Sequence, residues 1–294
     1  MINTYFSPLI VGAMRWGSWG AAFSSKQYEY IIDHCIDLGL FDFDHADIYG
    51  GYSTEEEFGA VIKRRPDLKS KLRVTTKCGI KMPCSKKPGY TVKSYDLGPA
   101  HIMKSVDQSL INLGVEKIDL LLLHRPDYLM DVAAIADCFQ QLQSAGKVKH
   151  FGVSNFNVHQ LELLRNEFPL VMHQMEISLG ELKAFHDGTV EQCQLSGIQI
   201  SAWSPLAGGL FFKPSKSDNL IKTQRLLKKM SSKYNASVMQ LLLAWLNRHP
   251  SGIIPVLGTS QKERITESLK AMEIQLSKED WYALLQASMG EEVP

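Results

Sequence analysis

The chain has 294 residues, is 45% hydrophobic and 21% charged, and carries a formal net charge of +1. This composition suits a soluble globular protein with a large core, and the charge balance excludes the basic excess that nucleic-acid or membrane-surface binding uses. The five cysteines (Cys35, Cys78, Cys84, Cys138 and Cys193) form no C-x-x-C pair; this argues against a zinc site and for reduced thiols in the cytoplasm.

The N-terminal stretch MINTYFSPLIVGAMRW lacks a basic region followed by a long apolar run, so no signal peptide is expected, and no apolar stretch is long enough to span a bilayer. The first strand is expected at 8–13, followed by a helix capped by Ser24 and Ser25 and closed by Gly39. Strands follow at 40–44 and 72–77. The segment 79–99 is too long for a plain connection and reads as a functional loop or lid. In the helix at 100–113, Ile102, Val106, Leu110 and Leu113 share one face. Next come a strand at 118–123, a helix at 132–145, a strand at 148–153 and a helix at 157–166. A strand at 171–175, a helix at 189–196 and a strand at 198–203 continue the alternation. Helices at 222–235 and 237–248 precede the last strand, 253–257, and helices at 261–271 and 277–289 end the chain.

Several strands are apolar almost throughout, as parallel strands covered by helices are. Eight such units in alternation with helices predict an α/β fold, a (β/α)8 TIM barrel forming a single domain over 1–294. An open doubly wound sheet would carry G-x-G-x-x-G after its first strand, and GAMRWGSWG lacks that spacing.

Barrel chemistry sits at the C-terminal ends of strands. Asp44 ends the second strand, Tyr49 lies in the loop after it, Lys77 closes the third strand and His124 follows the fourth. Each taken alone has an ordinary structural explanation. Together they place a carboxylate, a phenol, an ammonium and an imidazole at one rim, on strands about 5 Å apart.

This set resembles the tetrad of the aldo-keto reductases, in particular short bacterial-type oxidoreductases. GKVKHFGVSNF at 146–156, HQMEIS at 173–178, AWSPLAGG at 202–209 and IIPVLGTSQKERITES at 253–268 are similar to later segments of the same family, in order. The resemblance implies reduction of aldehydes or ketones to alcohols with hydride from NADPH, with Tyr49 as proton donor assisted by Lys77, Asp44 and His124. An ammonium about 4 Å from the phenol would contribute on the order of 4 kcal/mol towards lowering its pKa, less what Asp44 neutralises.

The resemblance also implies the cofactor contacts. Met14 lies near the nicotinamide, Ser154, Asn155 and Gln174 bond its carboxamide, and Trp203 stacks on its ring, where many relatives have tyrosine. Ser204, Pro205, Leu206 and Gly208 line the pyrophosphate, and Gly258, Thr259 and Arg264 meet the 2′-phosphate. Many relatives have lysine at the position of Gly258 and asparagine at that of Ser268, which leaves Arg264 as the main cation. Trp16, Trp19 and Tyr52 are expected to line the substrate mouth for a small-molecule carbonyl compound, in a monomer without a metal. Two other functions compete: an NADPH-binding sensor or regulatory subunit, and a Schiff-base aldolase using Lys77. The thiol of Cys78, next to Lys77, is expected to be buried rather than redox-active.

Overall fold

The computed structural model describes residues 6–293. Residues 1–5, on which part of the leader expectation rests, lie outside that range. Eight parallel strands close into a barrel: β1 (Ile10–Gly12), β2 (Asp42–Asp44), β3 (Arg73–Cys78), β4 (Ile118–Leu123), β5 (Val148–Ser154), β6 (Met172–Glu176), β7 (Gln199–Trp203) and β8 (Ile254–Leu257). Each strand pairs with its neighbours in chain order, and β1 pairs with both β2 and β8. This is the expected (β/α)8 barrel, with strand ends within two residues of the expected ones.

Side-chain alternation divides the core. Leu120 and Leu122 pack with Ile10, Met172, Ile254 and Val256 inside the barrel. Leu121 and Leu123, one residue out of phase, join Phe139, Phe151 and Phe168 beneath the helices. Phe139 and Phe151 stack with centroids 4.1 Å apart. Among the described residues no helix is long and apolar enough to cross a membrane.

The helices follow local signals. Ser24 precedes the helix Ser25–Asp37, with its backbone N–H donating to the Gln27 side chain at 2.8 Å. Asn157, Ser237 and Ser277 cap the helices Val158–Glu167, Val238–Asn247 and Lys278–Met289 with their side chains. The helix expected to start at 222 begins earlier, at Asp218, with Ser217 as its cap.

Besides the single turn Lys183–His186, one longer α-helix was not expected from the sequence. Thr54–Arg64 carries Glu55, Glu56 and Glu57 in its first turn and Lys63 and Arg64 in its last, matching its dipole. It buries Phe58, Val61 and Ile62 and stops before Pro66. Gly59 lets it approach the helix Pro99–Leu113 closely, since a Cβ there would lie 1.9 Å from the Asn112 carbonyl oxygen. Alanine normally favours a helix over glycine by about 1 kcal/mol, but this clash outweighs that gain. Gly59→Ala is expected to lower stability by about 1–3 kcal/mol, read as a reduced urea midpoint. An unchanged or raised midpoint would show that the two helices separate freely.

The long segment 79–99 holds a two-stranded antiparallel hairpin, Ile80–Lys81 with Ser94–Tyr95. It is tied to the β2 loop through Tyr52, whose hydroxyl donates to the Ile80 carbonyl at 3.3 Å and accepts from the Met82 N–H at 3.0 Å.

Candidate active site

Parallel pairing sets the four rim residues in place. Asp44 lies opposite both Gly12 and Thr75, Lys77 opposite Leu122, and the His124 N–H donates to the Cys78 carbonyl at 2.9 Å. Tyr49 reaches the same rim from a sharp turn. It lies in the connection after β2, as expected from the sequence, at the start of the tight turn Tyr49–Tyr52. Gly50, Gly51 and Tyr52 all take positive φ there, at 61°, 67° and 69°. Glycine adopts this conformation at no steric cost, whereas Tyr52 is held in it by the hairpin contacts.

Lys77 is almost fully buried and saturates its donors. Its Nζ donates to Asp44 Oδ1 and Oδ2 at 2.8 and 2.7 Å, to the His45 carbonyl at 2.9 Å and to the Tyr49 hydroxyl at 3.0 Å. The His45 carbonyl is a participant that residue types could not reveal, because a backbone acceptor has no sequence signature. The His124 ring stands edge-on to Tyr49 with centroids 6.0 Å apart.

Burial and charge set the protonation states. Burial pulls the Lys77 ammonium down, but Asp44 and Tyr49 outweigh it and hold the group above the ordinary lysine value. The same burial pushes the Tyr49 phenol up; Lys77 pulls it down without cancelling the effect, so the net shift is upward. This corrects the expectation that the ammonium lowers the phenol's pKa overall: removing a phenolate from water costs more than one partly neutralised cation returns. Burial, then Lys77 and Arg125, holds His124 well below the ordinary imidazole value. It is therefore neutral at neutral pH and has one N–H to donate. Burial also raises the Cys78 thiol well above its usual range, as expected of an inert strand-end cysteine.

The residues expected around a cofactor lie beside this cluster. Gln174 donates to Asp44 Oδ1 at 3.0 Å. Asn155 donates to Ser154 Oγ at 2.7 Å and accepts from the Trp203 indole N–H at 3.0 Å. Beyond Trp203, Ser204, Ala207, Gly208 and Gly209 all have positive φ, as does Asn155 after β5. Pro205 is buried, and Leu206 packs between the two large apolar clusters, so these two support the loop from below.

Met14 is 39% exposed at the end of β1. Arg264 is exposed near the N-terminus of the helix Lys262–Lys270, which has no side-chain cap. The Thr259 hydroxyl accepts from the Gln261 N–H at 3.1 Å, and a Cβ on Gly258 would meet open space. An uncapped helix end with adjoining cations is chemically suited to a phosphate. Ser268 is buried and donates to the Arg264 carbonyl at 2.7 Å, so its hydroxyl is already committed. Among the described residues no group of three or more His, Cys, Asp or Glu is placed to hold a metal ion.

The substrate-mouth residues divide. Trp19 is 41% exposed, and its ring lies 6.1 Å from that of Tyr49. Tyr52 packs with Tyr49, Ile80, Met82 and Tyr95. Trp16 does not face the mouth. It is fully buried against Phe23, Tyr28 and Phe43, and its indole donates to the Thr259 carbonyl at 3.1 Å. A tryptophan in a rim loop turns inward when a large apolar cluster lies directly beneath it.

Comparison with known proteins gives a consistent result. The sequence matches the model of the Aldo/keto reductase family over residues 8–288. It is 40% identical to the uncharacterized oxidoreductase YcsN of Bacillus subtilis (strain 168), covering 98% of this chain and 96% of that protein. It is 36% identical to a 6-dehydroglucose reductase of Agrobacterium fabrum, over the same shares of the two chains. Among solved structures, the thermostable aldo-keto reductase Tm1743, in complex with the inhibitor epalrestat, superposes with a TM-score of 0.78 at 27% identity, covering 98% of both chains.

Proposed function

Given that this chain belongs to the aldo/keto reductase family, we propose that it reduces aldehydes or ketones to alcohols using NADPH, with Tyr49 as the proton donor. The observation that carries this reading is the buried Lys77 ammonium, bonded at once to Asp44 and to the Tyr49 hydroxyl. Bound NADPH would supply the hydride. The chain's own residues polarise the carbonyl and deliver the proton. The Tyr49 O–H, with its oxygen fixed by Lys77, gives its proton to the carbonyl oxygen as that oxygen gains charge. Neutral His124 donates a second hydrogen bond to the same oxygen and orients it. Asp44 keeps Lys77 charged and stationary. A positioned general acid of this kind contributes about 10²–10⁴-fold to rate.

The cofactor would be held by Met14, Ser154, Asn155, Gln174 and Trp203 at the nicotinamide end. Ser204 and Gly208 would line its middle, on a loop that Pro205 and Leu206 support from below, and Gly258, Thr259 and Arg264 would take the 2′-phosphate. The open space at Gly208 and Gly258 and the uncapped helix beside Arg264 support this placement. Arg264→Gln is expected to raise the NADPH dissociation constant about 10–100-fold, as loss of a charge-assisted bond does, and to leave NADH binding much less affected. Titration of both cofactors measures this, and equal effects would remove Arg264 from phosphate recognition.

A Schiff-base role for Lys77 needs a neutral, unpaired amine. The Asp44 pairing opposes both conditions. The function is tested by NADPH consumption over a panel of aldehydes, ketones, quinones and sugars, the last prompted by the relative's name. Turnover that depends on Tyr49 is expected; no consumption across the panel would overturn the proposal.

A further inference from the structure

Arg125 follows His124 and is half-buried at the same rim. Its guanidinium carbon lies 5.6 Å from the centroid of the Trp203 ring. That indole is itself fixed, through its N–H to Asn155 at 3.0 Å, so the cation rests on a rigid face. Among the described residues Arg125 makes no hydrogen bond or ion pair. Glu176, at the end of β6 and in register with Trp203, feels its charge but lies beyond ion-pair distance. Arg125 adjoins His124 in the chain, and the His124 ring lies 6.0 Å from that of Tyr49, so the guanidinium belongs to the same rim as the groups that would receive a carbonyl oxygen. A half-buried guanidinium with its planar donors unused is unusual, because desolvated charges are generally paired.

We propose that Arg125 selects carbonyl substrates that also bear a carboxylate, binding that group with its guanidinium while the carbonyl oxygen meets Tyr49 and His124. The inference rests on the reductase reading above and names its substrate class. Arginine suits the task because its fork binds both oxygens of a carboxylate at once. The two anchor points, one for the carboxylate and one for the carbonyl, would fix the spacing between them.

The test uses 2-, 3- and 4-formylbenzoate, each compared with its neutral methyl ester, and reads the acid-to-ester ratio of kcat/KM. In the wild-type protein at least one isomer is expected to favour the acid tenfold or more, mainly through KM. Arg125→Met is expected to bring that ratio to about one, and Arg125→Lys to retain part of it. A merely structural role would lower acid and ester together and leave the ratio unchanged. An unchanged ratio in Arg125→Met, or preference for the ester with all three isomers, would overturn the proposal.

If the wild-type protein reduces none of the six compounds although each binds, the broader NADPH-consumption panel decides the reductase reading separately. Calorimetric binding of the three acids with NADP+ present then decides about Arg125. A tenfold weaker dissociation constant in Arg125→Met upholds the carboxylate site, and equal affinity removes it.

Discussion

Tyr49→Phe is expected to lower kcat by about 10²–10⁴-fold while leaving the NADPH dissociation constant near its wild-type value. The substitution is clean because most of the side chain's contacts belong to its ring. Phenylalanine keeps the edge contact with His124, the packing against Trp19 and the Lys77 cation 5.0 Å from the ring centroid. Only the hydroxyl is lost, and Lys77 keeps both Asp44 oxygens and the His45 carbonyl as acceptors. The fold should therefore survive, and the activity loss can be assigned to the missing proton donor. Because burial lifts the phenol above its ordinary value, the wild-type group is protonated at neutral pH, as a donor must be. Steady-state kinetics alongside cofactor titration measures both effects. Near wild-type turnover in the variant would assign the proton to another group.

Lys77→Met is expected to damage both activity and stability. Methionine fills much of the same volume but leaves the buried Asp44 carboxylate with Gln174 as its remaining side-chain donor. Breaking a buried pair by removing one partner costs about 3–5 kcal/mol, because the remaining charge is uncompensated. Urea unfolding at neutral pH measures this. The folded lysine is held above its ordinary value of about 10.4. The stability it contributes is thus fully present below that pH and is lost as pH rises through the folded value. Turnover should nearly vanish as well, since the Tyr49 oxygen loses its cationic partner. Adding Asp44→Asn to Lys77→Met should recover part of the stability and none of the rate, separating the structural cost from the chemical one. Full activity in Lys77→Met would refute the electrostatic role.

The repeating strand and helix pattern was legible because its signals are local. An apolar run such as IDLLLL, Val148–Ser154 after its glycine, and the caps Ser24, Asn157 and Ser277 each act within a few residues. The helix Thr54–Arg64 was less legible. Its internal Gly59 lowers its apparent propensity, and what sustains it is burial against the helix Pro99–Leu113. The tetrad residues could be placed at one rim from their positions at strand ends. The same reasoning put Trp16 at the mouth and was mistaken, because a rim loop can turn a side chain either way and the apolar cluster below decides. It also passed over Arg125, since an arginine after a strand reads as an ordinary solvated charge until its place over the Trp203 ring is seen.

The order of elements, the barrel and the residues at its C-terminal rim were thus determined by the sequence, because periodicity, capping and chain order are written in neighbouring residues. The tertiary structure decided which of those residues meet and in what state of charge. It joined Lys77 to Asp44, Tyr49 and the His45 carbonyl, raised the phenol rather than lowering it, turned Trp16 inward and, among the described residues, left Arg125 over the Trp203 ring without a hydrogen bond or ion pair. Desolvation and pairing depend on every group that surrounds a site, and those groups come from strands far apart in the chain.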